Sequence, residues 1–398
     1  MTVTHDLSNE GDIATEIVAA VRDVLAGHAT PVALHEPEFI GNELRYVADC
    51  IATGWVSSVG SYVDKFEADL AATTGCVAAI ATMNGTAALH VALLLAGVRP
   101  GDEVLTPSLT FIASANAISY CAATPHFVDA EEASLGVDAV RLEAYLRTAA
   151  TVTDGICTNR RTGAPIRALL VMHVFGLTGD LDALSAVADA WHLVLVEDAA
   201  EALGSSYHGR ATGNFGRVAA LSFNGNKTIT TGGGGAILTN DAELGRRAKH
   251  LTTTARVKHR WDFVHDEIGF NYRLPNLNAA LGCAQLERLP SLLARKRVLA
   301  EHYLTRFADV AGVSAISEPA GTISNYWLNT IKLDAVTAAR RDDVLTALND
   351  AGFMARPLWR PMHLLPIYAA CPRDALPVTE ALSACVINLP SSAKLAGL

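Results

Sequence analysis

The sequence predicts an α/β protein: a large domain built on a mostly parallel central sheet, followed by a smaller C-terminal α+β domain. Three observations predict this. From about residue 36, short apolar runs alternate with helical stretches; residues 167–198 read as a complete βαβ unit; and beyond about residue 285 a long helical stretch gives way to a new strand and helix. The chain has 398 residues, half of them hydrophobic, enough for one large core and a second smaller one.

Residues 13–27 (IATEIVAAVRDVLAG) repeat apolar side chains at helical spacing, so 1–30 reads as an accessory N-terminal piece ending in a helix. The large domain covers 31–285. In it CVAAIAT precedes helix TAALHVALLLAG, EVLTP precedes helix TFIASANAISYC, and strand PHFVDA follows. The clearest unit is strand RALLVMHVFG (167–176), helix DLDALSAVADAWH (180–192) and strand LVLVED (193–198), which should cross over right-handedly. Ligands of open α/β sheets sit beyond the carboxyl ends of the strands, so Asn84, Pro107 and Asp198 are expected along one edge. Residues 286–398 form the small domain, with LPSLLARKRV as the connecting helix, then strand NYWLNTIKLD and helix TAARRDDVLTALNDAG.

Net charge is −10 with 18% charged residues and no long basic run, which argues against a nucleic-acid partner. The seven cysteines are scattered, odd in number and free of any CxxC pair, so neither a disulfide framework nor a metal site is expected, and a reducing cytoplasm fits best. The opening MTVTHDLSNEGD is acidic and polar where a signal peptide would be basic and then apolar. No apolar run reaches the roughly 18 residues of a membrane span, so no membrane association is expected.

Three segments carry chemistry. In NGTAALHVALLLAG (84–97) a strand ends at Asn84, Gly85 turns the chain and Thr86 opens an apolar helix, whose first-turn N–H groups and dipole favour a phosphate. An ordinary capped helix reads the same way. In VLVEDAAEALGS (194–205) an apolar strand ends in Glu197 and Asp198; a buried acid needs a cationic partner, such as a protonated pyridine nitrogen, although Asp198 as a helix cap is equally local a reading.

The third, RVAALSFNGNKTITTGGGGAILTND (217–241), places Lys227 on a turn among small and polar neighbours. A lysine that forms a Schiff base needs room for an aldehyde, partial desolvation and a flexible approach, which Gly225 and Gly232 to Gly235 would permit. Ser222 at the strand end can reach a phosphate. A nucleotide P-loop is excluded, because the glycines follow the lysine instead of preceding it.

The first and third segments, extended on either side, together with GFNYRLPNLNAALGCAQLERL resemble the DegT/DnrJ/EryC1/StrS sugar aminotransferases over roughly residues 32–392. The phrases PVALHEPEFIGNE, GWVSSVGSYVDKFE, SFNGNKTITTGGGG and RPMHLLPIY resemble the branch that aminates C4 of UDP-linked 4-keto-6-deoxy-N-acetylhexosamines, as in legionaminic acid and bacillosamine biosynthesis. The resemblance implies a fold type I (aspartate-aminotransferase-like) enzyme with pyridoxal 5′-phosphate (PLP) covalently on Lys227 and Asp198 against the pyridine nitrogen. It implies a phosphate held by the backbone of Gly85, Thr86 and Ala87, by Ser222, and by Asn271 of the partner subunit, hence a homodimer with shared active sites.

Phe111 matches the position whose ring stacks on the cofactor, although periodicity equally allows a core residue. Glu201 would face the substrate, against the alternative of a solvated helix position, and Ser57 and Ser58 in GWVSSVG would lie near the sugar. Arg273 would pair with a nucleotide phosphate or the donor carboxylate. His173 reads as a hydrogen-bonded buried histidine. The implied reaction moves an amino group from glutamate to the C4 keto group of a UDP-sugar. The alternatives are a GDP- or dTDP-linked keto sugar, as in a perosamine-type synthase, or a non-transaminating fold type I enzyme. A desulfurase would need a cysteine in a glycine-rich loop, and none is evident.

Overall fold

Seven short runs that are apolar on both faces pair into one sheet in the computed structural model, which describes residues 12–397. They are β1 (Ala78–Thr82), β2 (Glu103–Pro107), β3 (Thr124–Val128), β4 (Ile166–Met172), β5 (Val194–Asp198), β6 (Val218–Ser222) and β7 (Gly235–Thr239). Their order is β1-β7-β6-β5-β4-β2-β3. All neighbouring pairs are parallel except those of β7, which runs antiparallel to both β1 and β6. Burial on both faces is what parallel sheets require, and it explains why these strands read as continuous apolar runs without alternation.

The expected βαβ unit is present: β4, helix Leu181–Ala190 and β5, with Asp180 capping the helix by accepting from the Ala183 amide. Register sets the edge where a ligand can sit. Met172 and Ala220 both pair with Asp198, and Thr82 and Ser222 both pair with Gly235, so the carboxyl ends of β1, β4, β5 and β6 finish level.

The second domain hangs on a 32-residue helix, Asn276–Phe307, which runs through the boundary drawn at 285/286 and carries Pro290 inside it. The helix therefore belongs to both cores, lending Cys283 and Leu286 to the first and Leu299, Tyr303 and Phe307 to the second. Four antiparallel strands, in the order Val313–Ala315, Asn329–Leu333, Val386–Leu389 and Arg356–Pro357, complete the smaller unit. The N-terminal helix is Ile13–Val24, and residues 1–11 lie outside the described residues. Its apolar stripe of Ile13, Ile17, Ala20 and Val21 packs into the small-domain core beside Val344 and Leu348. It is a structural member of that domain despite standing first in the chain.

The strand expected from Asn325 begins only at Asn329, because Asn325 makes a corner. Its side chain accepts from the Trp327 amide (2.8 Å) and donates to the carbonyls of Glu201 and Leu203 (2.9 Å each), while Tyr326 takes φ +45°. The corner aims Trp327 at the level edge of the large sheet. Among the described residues no helix is long and apolar enough to cross a membrane.

Candidate active site

A cavity of about 670 Å³ opens between that edge and the small domain, and Asn84, Asp198, Ser222, Lys227, Trp327 and Arg356 are among the residues that line it. Two adjacent acids end β5, and strand alternation sends them to opposite faces. Glu197 accepts from the amides of Gly213 (2.8 Å), Phe215 (2.7 Å) and Gly216 (2.6 Å) and lies 2.9 Å from His173 Nε2. Burial pushes its carboxyl up, but His173 and these amides outweigh it and hold it below the usual range. Glu197 and His173 are thereby a satisfied structural pair.

Asp198 differs. It is 2% exposed and faces the cavity, with Oδ2 accepting from Ser114 Oγ (2.6 Å) and Oδ1 from the Ala200 amide (3.2 Å). Burial raises its pKa. Two neutral donors leave a buried carboxylate short of a counter-charge, and a protonated ring nitrogen in the cavity would supply it.

The helix Gly85–Leu95 points its N-terminus at the same space. Asn84 caps it through Oδ1, which accepts from the Ala87 amide at 2.7 Å. This engages Ala87 and leaves Gly85 and Thr86 as the free first-turn donors. A Cβ on Gly85 would lie 2.8 Å from Ser222 Cβ and 3.2 Å from its Oγ, so the hydroxyl stands directly beside the turn. The pair makes a cradle of the size and chemistry of a phosphate.

Lys227 sits in the turn that follows β6, its amide donating to the Asn224 carbonyl at 3.0 Å. The side chain is 14% exposed, and Nζ lies 3.0 Å from Glu201 Oε1 and 3.7 Å from the centre of the Trp327 ring. Glu201 is 3% exposed and its other oxygen accepts from the Phe175 amide at 2.9 Å, so it is no solvated helix residue. Burial raises its pKa, with the Lys227 charge opposing. Amine, buried acid, phosphate cradle and cavity thus stand where a pyridine aldehyde with a phosphate arm would fit.

Residues 37–397 match the DegT/DnrJ/EryC1/StrS aminotransferase family. The chain belongs to this family. It is 38% identical to the GDP-perosamine synthase of Caulobacter vibrioides over 92% of this chain and 94% of that one, and 37% identical to the GDP-perosamine synthase of Vibrio cholerae over 90% and 94%. Among solved structures it resembles the aminotransferase TlmJ of Streptoalloteichus hindustanus, with a TM-score of 0.81 and 31% identity over 90% of this chain and 93% of that one. It is a PLP-dependent sugar aminotransferase of fold type I. Whole-length similarity to GDP-perosamine synthases fits the GDP-linked alternative better than the UDP-sugar branch those short phrases suggest.

In this sugar aminotransferase Phe111 precedes helix Ile112–Tyr120, is 49% exposed and lines the cavity, so it is not a core residue. Ser57, Ser58, Asn271 and Arg273 do not line this chain's cavity. The Ser57 carbonyl accepts from the Asn276 amide (2.6 Å), and the Arg273 guanidinium donates to Asn271 Oδ1 (3.2 and 3.0 Å). The glycines after Lys227 do more than loosen the turn. A Cβ on Gly235 would come within 2.5–2.7 Å of the Asn84 and Gly85 backbone, so this glycine lets β7 pack against the Gly85 turn.

Sequence reading missed Ser114, Trp327, Arg356, Trp359 and Arg360. Ser114, a polar residue on a largely apolar helix, could have been flagged; the others had no local signal. It also missed Lys296, a fully buried amine on the long helix. Its Nζ donates to the carbonyls of Ser391 (2.7 Å) and Trp327 (3.2 Å) and lies 3.1 Å from His35 Nε2, with no carboxylate in contact among the described residues. Burial pulls its pKa down to about 7, and burial together with the Lys296 charge holds His35 well below its usual value. Nζ thus meets three acceptors, one of them the backbone of the residue whose ring lies against Lys227.

The depressed pKa has a sign. Between about pH 7 and 10 the unfolded chain binds the Lys296 proton and the fold does not, so stability rises with pH across that window. Relative to Lys296→Met, the wild-type protein should gain about 2 kcal/mol of unfolding free energy between pH 7 and 9. Denaturant unfolding at each pH reads this, and a difference independent of pH would contradict it.

Proposed function

We propose that this enzyme transfers an amino group from glutamate to the C4 keto carbon of a GDP-linked 4-keto-6-deoxy sugar, giving a perosamine-type 4-amino-4,6-dideoxy sugar nucleotide. The observation that carries this reading is the near-full-length similarity to GDP-perosamine synthases of several bacteria. The enzyme would work in the cytoplasm.

PLP, when bound, supplies an electron sink and carries the amino group between the two half-reactions. The Gly85 and Thr86 amides and Ser222 Oγ would hold its phosphate, Phe111 would stack against its ring, and Asp198 would keep the ring nitrogen protonated. Lys227 is the covalent anchor, and its Nζ then moves a proton off the donor α-carbon and, in the second half-reaction, onto C4 of the sugar. Glu201, 3.0 Å away, orients that amine and shares its charge. The Trp327 ring excludes water from the same side.

The remaining expected residues belong to an assembly of two copies. Helix Glu43–Thr53 and the turn after it expose Leu44, Ile51, Trp55 and Val56, and segment 256–268 exposes Trp261, Phe263 and Ile268. Apolar surface of this extent favours burial against a second copy. In that homodimer Asn271 and Arg273 would serve the partner's cavity, and Ser57 and Ser58 would border the sugar.

The test is a panel of GDP-, UDP- and dTDP-linked 4-keto-6-deoxy sugars with ¹⁵N-glutamate, product structure being read by NMR. The GDP substrate is expected to lead by at least about tenfold in kcat/KM; a UDP-linked N-acetyl sugar in first place would overturn the assignment.

A further inference from the structure

We propose that Arg356 and Arg360 form the subsite for the diphosphate of the nucleotide sugar, with Asn388 receiving a hydroxyl of the sugar beside them. This rests on the sugar-nucleotide reading above and supplies the phosphate contact that Arg273 does not make within its own chain. Charge pairing is the first observation. The two acids on the cavity floor are engaged, Asp198 by Ser114 and Ala200, and Glu201 by Phe175 and Lys227. Arg356 and Arg360 line the same cavity, and among the described residues neither has a carboxylate partner; Arg356 donates only to the Ala355 carbonyl, at 3.3 Å. Elsewhere in this domain most arginines are paired, Arg288 and Arg295 with Glu38 and Arg297 with Glu318; Arg373, which donates only to the Ala369 carbonyl, lies outside the cavity. Two unpaired guanidiniums facing one cavity match the two charges of a diphosphate, whose oxygens suit the guanidinium fork.

Asn388 is the second observation. It pairs across the small sheet with Arg356, is 3% exposed, lines the cavity, and its side-chain oxygen has no hydrogen-bond partner among the described residues. A buried amide oxygen left open toward a cavity is a cost unless a ligand donates to it.

The backbone that carries the arginines is rigid. In Arg356-Pro-Leu-Trp-Arg360-Pro each arginine precedes a proline with fixed φ. The Leu358 amide donates to the Val386 carbonyl (3.1 Å), and the Met362 amide to the Ser108 carbonyl (2.9 Å). His363 clamps the far end, its amide 3.2 Å from Ser108 Oγ and its Nδ1 2.8 Å from the same oxygen. Depth then favours diphosphate over a donor carboxylate. Asp198 and Lys227 are on the floor, whereas Arg356 and Arg360 are exposed at the mouth. With C4 at Lys227, C1 lies across the sugar ring and directs its diphosphate outward; the α-carboxylate of glutamate is bonded to the reacting carbon and stays at the floor.

The test titrates GDP, UDP and dTDP into PLP-loaded wild type, Arg356→Gln, Arg360→Gln and the double variant by calorimetry, with circular dichroism confirming the fold. Each single change should raise Kd by about 10-fold or more, by the same factor for all three nucleotides, and should reduce the salt dependence of binding; Arg360→Lys should recover part of the loss. The glutamate half-reaction, followed by cofactor absorbance, should saturate as in wild type. Unchanged nucleotide binding in the double variant, no nucleotide binding by wild type, or weakening confined to glutamate would each overturn the subsite. Base preference in wild type tests the GDP assignment separately, since a preference for UDP leaves the phosphate contacts intact.

Discussion

Replacing Lys227 with alanine is expected to lower turnover by at least about a thousandfold, because one amine serves as cofactor anchor and as proton carrier, and positioned acid–base groups alone contribute about 10² to 10⁴. The fold should survive. Glu201, left without its partner, is buried and already has a raised pKa, so it takes up a proton in place of standing as a lone charge. Two readouts separate chemistry from structure. PLP should be lost on desalting from Lys227→Ala while the circular dichroism spectrum is retained, and millimolar methylamine should restore part of the proton transfer by entering the space vacated beside the Trp327 ring. Turnover within tenfold of wild type would remove Lys227 from the reaction.

The second large effect is expected for Asp198→Asn: loss of about 10²- to 10³-fold in kcat, the scale of deleting one preorganised electrostatic contact, with PLP retained. Asparagine preserves the shape, with its Oδ1 still accepting from the Ala200 amide and its Nδ2 donating to Ser114 Oγ, but it cannot hold a proton on the ring nitrogen. Stability of the cofactor-free protein should move the other way. Burial raises the pKa of Asp198, so its contribution to stability is present at low pH and is lost as pH rises through the folded pKa. At neutral pH the uncharged asparagine escapes that cost, and cofactor-free Asp198→Asn should melt at or above the wild-type temperature. A variant both less active and less stable without cofactor would instead mark Asp198 as a structural acid.

Lys227, Asp198, Ser222 and Gly85, which line one cavity, could be proposed together from sequence because each is announced by its own neighbours. A turn of small polar residues, an acid closing an apolar strand and a glycine before an apolar helix are local patterns, and the rule that sites lie at carboxyl strand ends gathers them onto one edge of the sheet. The βαβ unit was legible for the same reason. The branch of the family was less legible, because short phrases sample few positions, whereas whole-length similarity favours the GDP-linked alternative.

The sequence by itself determined the fold class and singled out the lysine and the buried acid proposed to meet the cofactor, because periodicity, turn chemistry and the cost of a buried charge are properties of contiguous residues. Only the tertiary structure decided what those residues meet. The helix Ile13–Val24 shows an apolar stripe in sequence, but nothing in it names the small-domain core as its partner. Trp327 reaches Lys227 across 100 residues because Asn325 turns the chain and Lys296 holds the carbonyl beyond it. Arg356 and Arg360 look like ordinary surface arginines until the small domain sets them at the cavity with no carboxylate partner among the described residues. Contacts between distant segments depend on how two cores pack together, and that is a property no local window contains.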